Sequence, residues 1–478
     1  MYIMSLLRTS VAVALCCARF AAAADPAPPD GPPVNVEILE QKVESMSKEL
    51  DELRAQLKEL RSQIAAPGTP QVQPPSASPQ PAQAKATPEA PQPSQATSPS
   101  PAQVQPASAT TAGMSRWDKL SLWGYGEIYY THPTTDSAQT QADLARAVFG
   151  IGYQFNERTR FNSEFEVEHA VSSADDAGEV EVEQFYVDHD LNNMWSFQAG
   201  LFLMPVGLLN EHHEPTNYYG VQRNFVETLI IPTTWREGGV AVKLRTENGL
   251  TVSAGITTGL DLSKWDFTPA TPPYNNALMM ANSGIAPMQA THQELSLANA
   301  QKLSGFASLN YTGALGLLVG GSVFSGGVVQ AVPNIPNEQA TLWELHARWQ
   351  PGKFDLSALY ARGYFTNTAQ ANMQFPGATN PLPASFYGYY LQAAYLAWQR
   401  DEMQLKPFIR WERYNMAASY AGVSWQVPAD GFPQSNDYVA TLGVSYYLTP
   451  DVVFKADYQH FRINSDFTRI DLGMGLSF

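Results

Sequence analysis

The last ten residues, Arg469-Ile470-Asp471-Leu472-Gly473-Met474-Gly475-Leu476-Ser477-Phe478, alternate without a fault. Successive strand residues face opposite sides of a sheet. Ile470, Leu472, Met474, Leu476 and Phe478 therefore share one face, and Arg469, Asp471, Gly473, Gly475 and Ser477 the other. The period recurs upstream. Phe161, Ser163, Phe165 and Val167 alternate with Asn162, Glu164, Glu166 and Glu168, and Glu344, His346 and Arg348 oppose Leu345, Ala347 and Trp349. A soluble β-sandwich alternates as well, so the connections must decide.

From Trp117 to Phe478 the pattern predicts sixteen strands whose connections alternate in length. Tight turns such as Asn156-Glu157-Arg158, Asn192-Asn193, Pro351-Gly352-Lys353 and Thr449-Pro450-Asp451 form one set. Leu208–Glu237, Asp261–Gln301, Thr366–Tyr387 and Ala417–Asn436 belong to the other. Short turns at one end and long loops at the other mark a transmembrane barrel of the outer membrane. The expected fold is all-β, a 16-stranded antiparallel transmembrane barrel over residues 117–478. An even count puts both barrel ends on the short-turn, periplasmic side. Mean hydropathy is only −0.23, as expected where every second residue faces water.

Ahead of the barrel, Arg8, the apolar stretch Val11 to Cys17 and Ala21-Ala22-Ala23-Ala24 read as a signal peptide, 1–24. The stretch is shorter than the roughly 20 apolar residues of a spanning helix. Both cysteines lie within it, so no disulfide or thiol site is expected beyond it. Val36, Leu39, Val43, Met46, Leu50, Leu53, Leu57, Leu60 and Ile64 then recur at spacings of three and four. These are core positions of an α-helical coiled coil, residues 34–65, able to oligomerise. Residues 66–116, rich in Pro, Ala, Gln and Ser and lacking aromatics up to Trp117, read as a disordered linker.

Nine of the 29 Lys+Arg and ten of the 45 Asp+Glu precede Trp117, leaving 20 bases against 35 acids in the barrel region. That excess excludes nucleic acid as a partner. Two acidic rows, Glu164, Glu166 and Glu168 against Glu181 and Glu183, meet across a hairpin. Like charges across strands need compensation by arginines, a cation or water. Glu344, Arg348, Arg410, Glu412, Lys455 and Asp457 complete a mixed pore wall, which imposes a transverse field on small polar solutes. The connection between strands five and six carries Glu211, His212, His213, Glu214, Arg223, Glu227, Arg236 and Glu237. A loop of this length is usually functional, and this one is expected to narrow the pore. No metal is expected there, since adjacent histidines rarely share an ion. No catalytic signature, nucleotide loop or cofactor motif occurs, so neither an enzyme nor a cofactor is expected.

The run Gly200-Leu201-Phe202-Leu203-Met204-Pro205-Val206-Gly207, followed by Arg236-Glu237-Gly238-Gly239-Val240, resembles the phosphate-selective porin O/P family. The resemblance covers roughly Trp117 to Phe478. It implies a homotrimer of sixteen-stranded barrels and anion passage along basic residues. A last strand ending on an aromatic is also similar to the assembly signal of outer-membrane barrels. The chain departs from the family in its acidity and in lacking a dense basic ladder. Its residues point to a general porin for small solutes or ions, set among outer-membrane lipid and lipopolysaccharide. The competing reading is an anchor, tethering the envelope through the coiled coil to the periplasm or to peptidoglycan.

Overall fold

The computed structural model describes residues 117–172, 178–268, 285–330, 338–423 and 434–478. The expected signal peptide, coiled coil and linker lie outside the described residues. Strands β1 (Leu120–Pro133), β2 (Gln141–Gln154), β3 (Thr159–Glu168), β4 (Val180–Asp190), β5 (Trp195–Leu203) and β6 (Arg236–Arg245) open the sheet. β7 (Leu250–Thr257), β8 (Ser304–Tyr311), β9 (Leu317–Gly327), β10 (Gln339–Trp349), β11 (Phe354–Phe365) and β12 (Ser385–Tyr395) continue it. β13 (Trp398–Arg400), β14 (Met403–Ser419), β15 (Asn436–Thr449), β16 (Val452–Phe461) and β17 (Arg469–Ser477) complete it. All pairings are antiparallel between chain neighbours, except that β12 and β13 both pair with β14 and that β1 pairs with β17. Those two are one stave broken at Leu396-Ala397, so the wall has the sixteen staves that the alternation predicts.

β17 closes the barrel on β1, with Ile128 opposite Met474 and Gly126 opposite Leu476. The terminal residue finishes the seam. Phe478 N donates to Gly124 O at 2.9 Å, and Gly124 N donates to Phe478 O at 3.1 Å. A Cβ on Gly124 would sit 2.6 Å from the Phe478 ring, so only glycine lets that ring lie against β1.

Burial is inverted relative to a water-soluble protein. On β17, Ile470 and Leu472 are 44% and 49% exposed, while Arg469 and Asp471 between them are fully buried. Phe149, Phe185, Leu345, Leu391, Ile409 and Leu442 are exposed, and Arg146, Glu166, Glu344, Arg410, Glu412 and Lys455 are buried. The apolar face is the outside of the barrel and the charged face its lumen. An apolar band around a closed barrel is stable only against hydrocarbon. Both ends of the sheet, at β1 and β17, lie on the short-turn side. Connections on the other side include 204–235, 258–303, 366–384 and 420–435.

Leu442 sits in the middle of β15 between Ile409 and Tyr458. Leu442→Arg is expected to destabilise the lipid-embedded barrel by about 2–4 kcal/mol, the cost of a charge at mid-bilayer. Urea unfolding in bilayers checks this. A change within about 0.5 kcal/mol, the range of an ordinary surface substitution, would mean that this face is wet.

Candidate functional site in the barrel lumen

The connection 204–235 leaves β5, crosses the lumen and returns to β6. Its neck is built by the resembling motif. Leu203, Phe202, Leu201 and Gly200 pair in register with Arg236, Glu237, Gly238 and Gly239. Asn210 ties the loop's two ends together. Its Nδ2 donates to Met204 O at 2.7 Å and Trp235 O at 2.8 Å, and its Oδ1 accepts from Trp235 N at 2.7 Å. Glu227 holds the interior. One carboxylate oxygen accepts from the Leu208 and Leu209 amides at 2.6 and 2.8 Å. The other accepts from Asn224 Nδ2 at 2.8 Å and Tyr390 OH at 3.0 Å.

The far wall fixes the rest. Phe225 N donates to Glu412 on β14 at 2.6 Å, and Val221 N to Asp457 on β16 at 2.6 Å. Arg410 donates to Tyr219 O at 3.1 Å, and Arg469 to Gln222 at 2.5 Å. Toward β1 and β2, Tyr218 OH donates to Glu127 at 2.5 Å and Arg146 to His213 O at 2.6 Å. Tyr125 OH meets His213 Nε2 at 2.6 Å. β14 is the thirteenth stave and β5 the fifth, half a turn away in a barrel of sixteen. The loop therefore spans the full lumen.

Sequence reasoning missed an apolar core inside the barrel. Phe225, Leu229, Ile230 and Trp235 of this loop pack with Leu262, Trp265 and Met288 of connection 258–303 and Leu382 of connection 366–384. Phe324, Leu342, Leu359, Phe386, Tyr414 and Phe461 meet them from the wall. Trp235 stacks edge-on against Phe324 at 4.7 Å, and Phe225 against Phe461 at 5.2 Å. The available signal was a run of apolar residues at inward positions near the long-loop ends of β9 to β16.

Most of the expected site residues meet. Glu164 accepts from Trp123 Nε1 at 2.6 Å, and Glu183 from Tyr125 OH at 2.8 Å. Glu164, Glu183 and His213 bring potential ligand atoms within 4.8 Å of one another, as do Glu166, Glu181 and Glu183. Arg146 bonds Glu127 at 2.7 Å beside them. Arg236 binds Glu181 and, at 2.9 Å, Glu294. Arg236 and Glu237 open β6, and Glu237 accepts from Thr258 at 2.6 Å and Trp235 Nε1 at 3.2 Å. Lys455 lies 3.7 Å from the Tyr218 ring. Arg223 bonds Thr233 and Thr234, and Glu214 accepts from Asn217. His212 is exposed while His213 is buried. Glu211 reaches Lys243 at 3.4 Å, and Glu168 is partly buried at the end of β3. Glu344 pairs away from the loop, with Ser322 and His346, whereas Arg348 binds Asp355, which also accepts from Tyr219 of the loop at 3.2 Å. Sequence reasoning did not place Tyr125, Glu127, Arg146, Asp355 or Tyr390 at this site, and it assigned no role to Asn210, Tyr218 or Tyr219.

Two loop groups titrate with opposite signs. Burial drives His292 down to about 4, outweighing the attraction of Glu294, with Arg236 and Lys264 adding to the depression. The folded loop prefers neutral imidazole, so its contribution is present above pH 6.5 and lost as pH falls through about 4. Burial raises Glu227 above its ordinary value, against the hydrogen bonds it accepts. Its contribution is present below about pH 4.5, the ordinary carboxylate value, and lost as pH rises through the raised value. Acidification from pH 7 to 4 should therefore speed amide exchange in residues 285–299 by up to roughly 3 kcal/mol of opening free energy. His292→Gln should flatten that response while leaving the opposite trend at the Leu208 and Leu209 amides. An unchanged pH response in this variant would refute the assignment to His292.

No family model matches the chain. A protein of Aquifex aeolicus (strain VF5), described only as uncharacterized, is 30% identical over 349 residues, 71% of this chain and 75% of that protein. Among solved structures, OmpF of Salmonella typhi in complex with daunomycin has a TM-score of 0.51 at 13% identity, covering 75% of this chain and 97% of that one. The outer membrane channel DcaP of Acinetobacter baumannii has a TM-score of 0.44 at 11% identity, covering 75% and 97%. The chain thus belongs to one family with the Aquifex aeolicus protein, and its barrel has the fold of the outer-membrane porins.

Proposed function

We propose that the chain is an outer-membrane porin, passing small polar or charged solutes and ions by passive diffusion, with the loop 204–235 as its constriction. The observation that supports this most is the loop's course across the lumen, held to β14 and β16 by the Glu412 and Asp457 carboxylates. A second observation suggests the route. The apolar core lies mostly against β8 to β16, with Phe202 on β5 and Ala241 on β6 at its margin. Lumen charges that water reaches include Arg160, Glu181, Asp190 and Lys243 on β3 to β6, with Glu211 of the loop beside them, and Arg348 on β10. Solutes are then expected to pass along the charged strip on β3 to β6. Signs alternate there, so charge sorting is local rather than set by the net −16.

Membership of the phosphate-selective porin O/P family is favoured by the motif that builds the loop's neck. The family resemblance favours a homotrimer, which the heptads of residues 34–65, able to self-associate, would support. The heptads also favour a second reading, an anchor that reaches through the periplasm to peptidoglycan. Removal of residues 34–115 separates these roles: lost channel assembly speaks for trimer support, and a weakened envelope with intact channels for the anchor.

Single-channel conductance in a planar bilayer under a salt gradient tests the main reading. Discrete conductance steps are expected, and their absence would overturn it. Arg223→Gln should move the reversal potential toward cation preference. Glu412→Ala with Asp457→Ala should raise conductance, because two loop amides lose their acceptors. Folding of each variant is checked by heat-modifiable migration. Unchanged conductance in the folded double variant would place the constriction elsewhere.

A further inference from the structure

We propose that the membrane-facing surface of β10 to β16 binds a phosphate-bearing lipid of the outer leaflet, its headgroup on Arg362, Arg413 and Arg462 and its acyl chain in the groove beneath. The register places the arginines on the outside. Arg362 on β11 pairs with Trp343 and Tyr387, and Arg413 on β14 with Tyr389 and Tyr438. Arg462 follows β16 directly, and all three lie toward the long-loop end. They form one belt. Arg413 lies 4.1 Å from the Tyr438 ring and donates to Tyr387 OH at 2.9 Å. Arg462 lies 5.7 Å from the same Tyr438 ring, and Arg362 5.0 Å from that of Tyr364.

Their charge is what singles them out. Arg146, Arg160, Arg236, Arg348, Arg410 and Arg469 each pair with a carboxylate inside the barrel. Among the described residues no ion pair involves Arg362, Arg413 or Arg462, and Arg362 Nε is buried without a hydrogen-bond partner. Every Asp and Glu on β10 to β16 takes an inward position in the register. A guanidinium on a membrane face needs an anion, and the phosphates of outer-leaflet headgroups stand at this height.

The surface below suits the rest of such a lipid. Trp343, Tyr360, Tyr389, Trp411 and Tyr438 form a continuous aromatic ladder with ring centroids 5.4 to 6.4 Å apart. Aromatic belts mark the headgroup boundary. Beneath it lies a shallow apolar groove of about 430 Å³, floored by Ala347, Ala358 and Ala393 and rimmed by Leu391, Ile409 and Trp411. Arg362 stands four residues above Ala358 on the same face of β11, about 13 Å at strand rise. A phosphate held by the arginines would therefore hang its chains toward the groove.

The test uses the full-length chain folded in neutral-detergent micelles and titrated with lipopolysaccharide. Wild type is expected to bind it, and to bind the enzymatically dephosphorylated form about a hundredfold more weakly, from the field of three arginines. Arg362→Gln/Arg413→Gln/Arg462→Gln should bring the intact form to the same weak level, with single-channel conductance at the wild-type value. Ala393→Trp should weaken the intact form and leave a deacylated form unaffected. Equal binding of phosphorylated and dephosphorylated lipid by wild type would overturn the proposal, and that measurement needs no variant to fold. Unchanged lipid binding in the triple variant, with its oligomer falling apart, would assign the face to another copy of the chain instead.

Discussion

A backbone in hydrocarbon has no water to bond, and nearly everything in this barrel follows from that. Each strand must give its amides and carbonyls to two neighbours, so the sheet has to close. Closure falls at β1 and β17, where the last residue still exchanges two hydrogen bonds with Gly124. Once every edge is used, the side chains have only two destinations, lipid or lumen. Alternation then becomes a sorting rule: Ile470 and Leu472 go out, and Arg469 and Asp471 go in.

Inside, the same enclosure sets a second problem. Charged groups away from bulk water are costly unless paired. The lumen answers with close pairs and with backbone donors from the loop. Arg410 and Glu412 meet at 2.9 Å, and Arg469 and Asp471 at 3.1 Å. Glu412 and Asp457 also receive the amides of Phe225 and Val221. The loop thus solves two problems at once. Its unpaired amides, which no strand ladder would satisfy, meet carboxylates that would otherwise lack enough donors.

How much of this was legible in the sequence follows from the range of each interaction. Alternation is local, so the staves and the unequal connections could be read directly. Even the broken stave at Leu396-Ala397 lay inside one expected strand. The loop's inward course could be expected from its length and charges, and its neck from the motif on either side. Its contacts could not. Val221 and Asp457 are 236 positions apart, and nothing near either names the other. The apolar core was hidden for a different reason. At Phe324, Leu342 and Phe386 an apolar residue stands where alternation predicts a polar one, and such a residue reads as noise until a loop is seen covering it. Tyr125 and Tyr390 carry no charge and stand on inward strand positions, yet the geometry uses these neutral phenols to satisfy the Glu183 and Glu227 carboxylates.

The loop's attachment bears on what kind of constriction it could form. A gate needs two arrangements of similar free energy. This loop is bound at both ends by Asn210, at its middle by Glu227, and at its far side by side chains of β14, β16 and β17. Its apolar residues are buried among three connections and the wall. Moving it would expose that core and leave Glu412 and Asp457 short of donors, each a loss of order 1–3 kcal/mol. Losses on that scale, taken together, favour one arrangement. A filter made from this loop would therefore discriminate by fixed shape and fixed charge, with pH acting on it through Glu227, and on the neighbouring connection 258–303 through His292, rather than through a swinging lid.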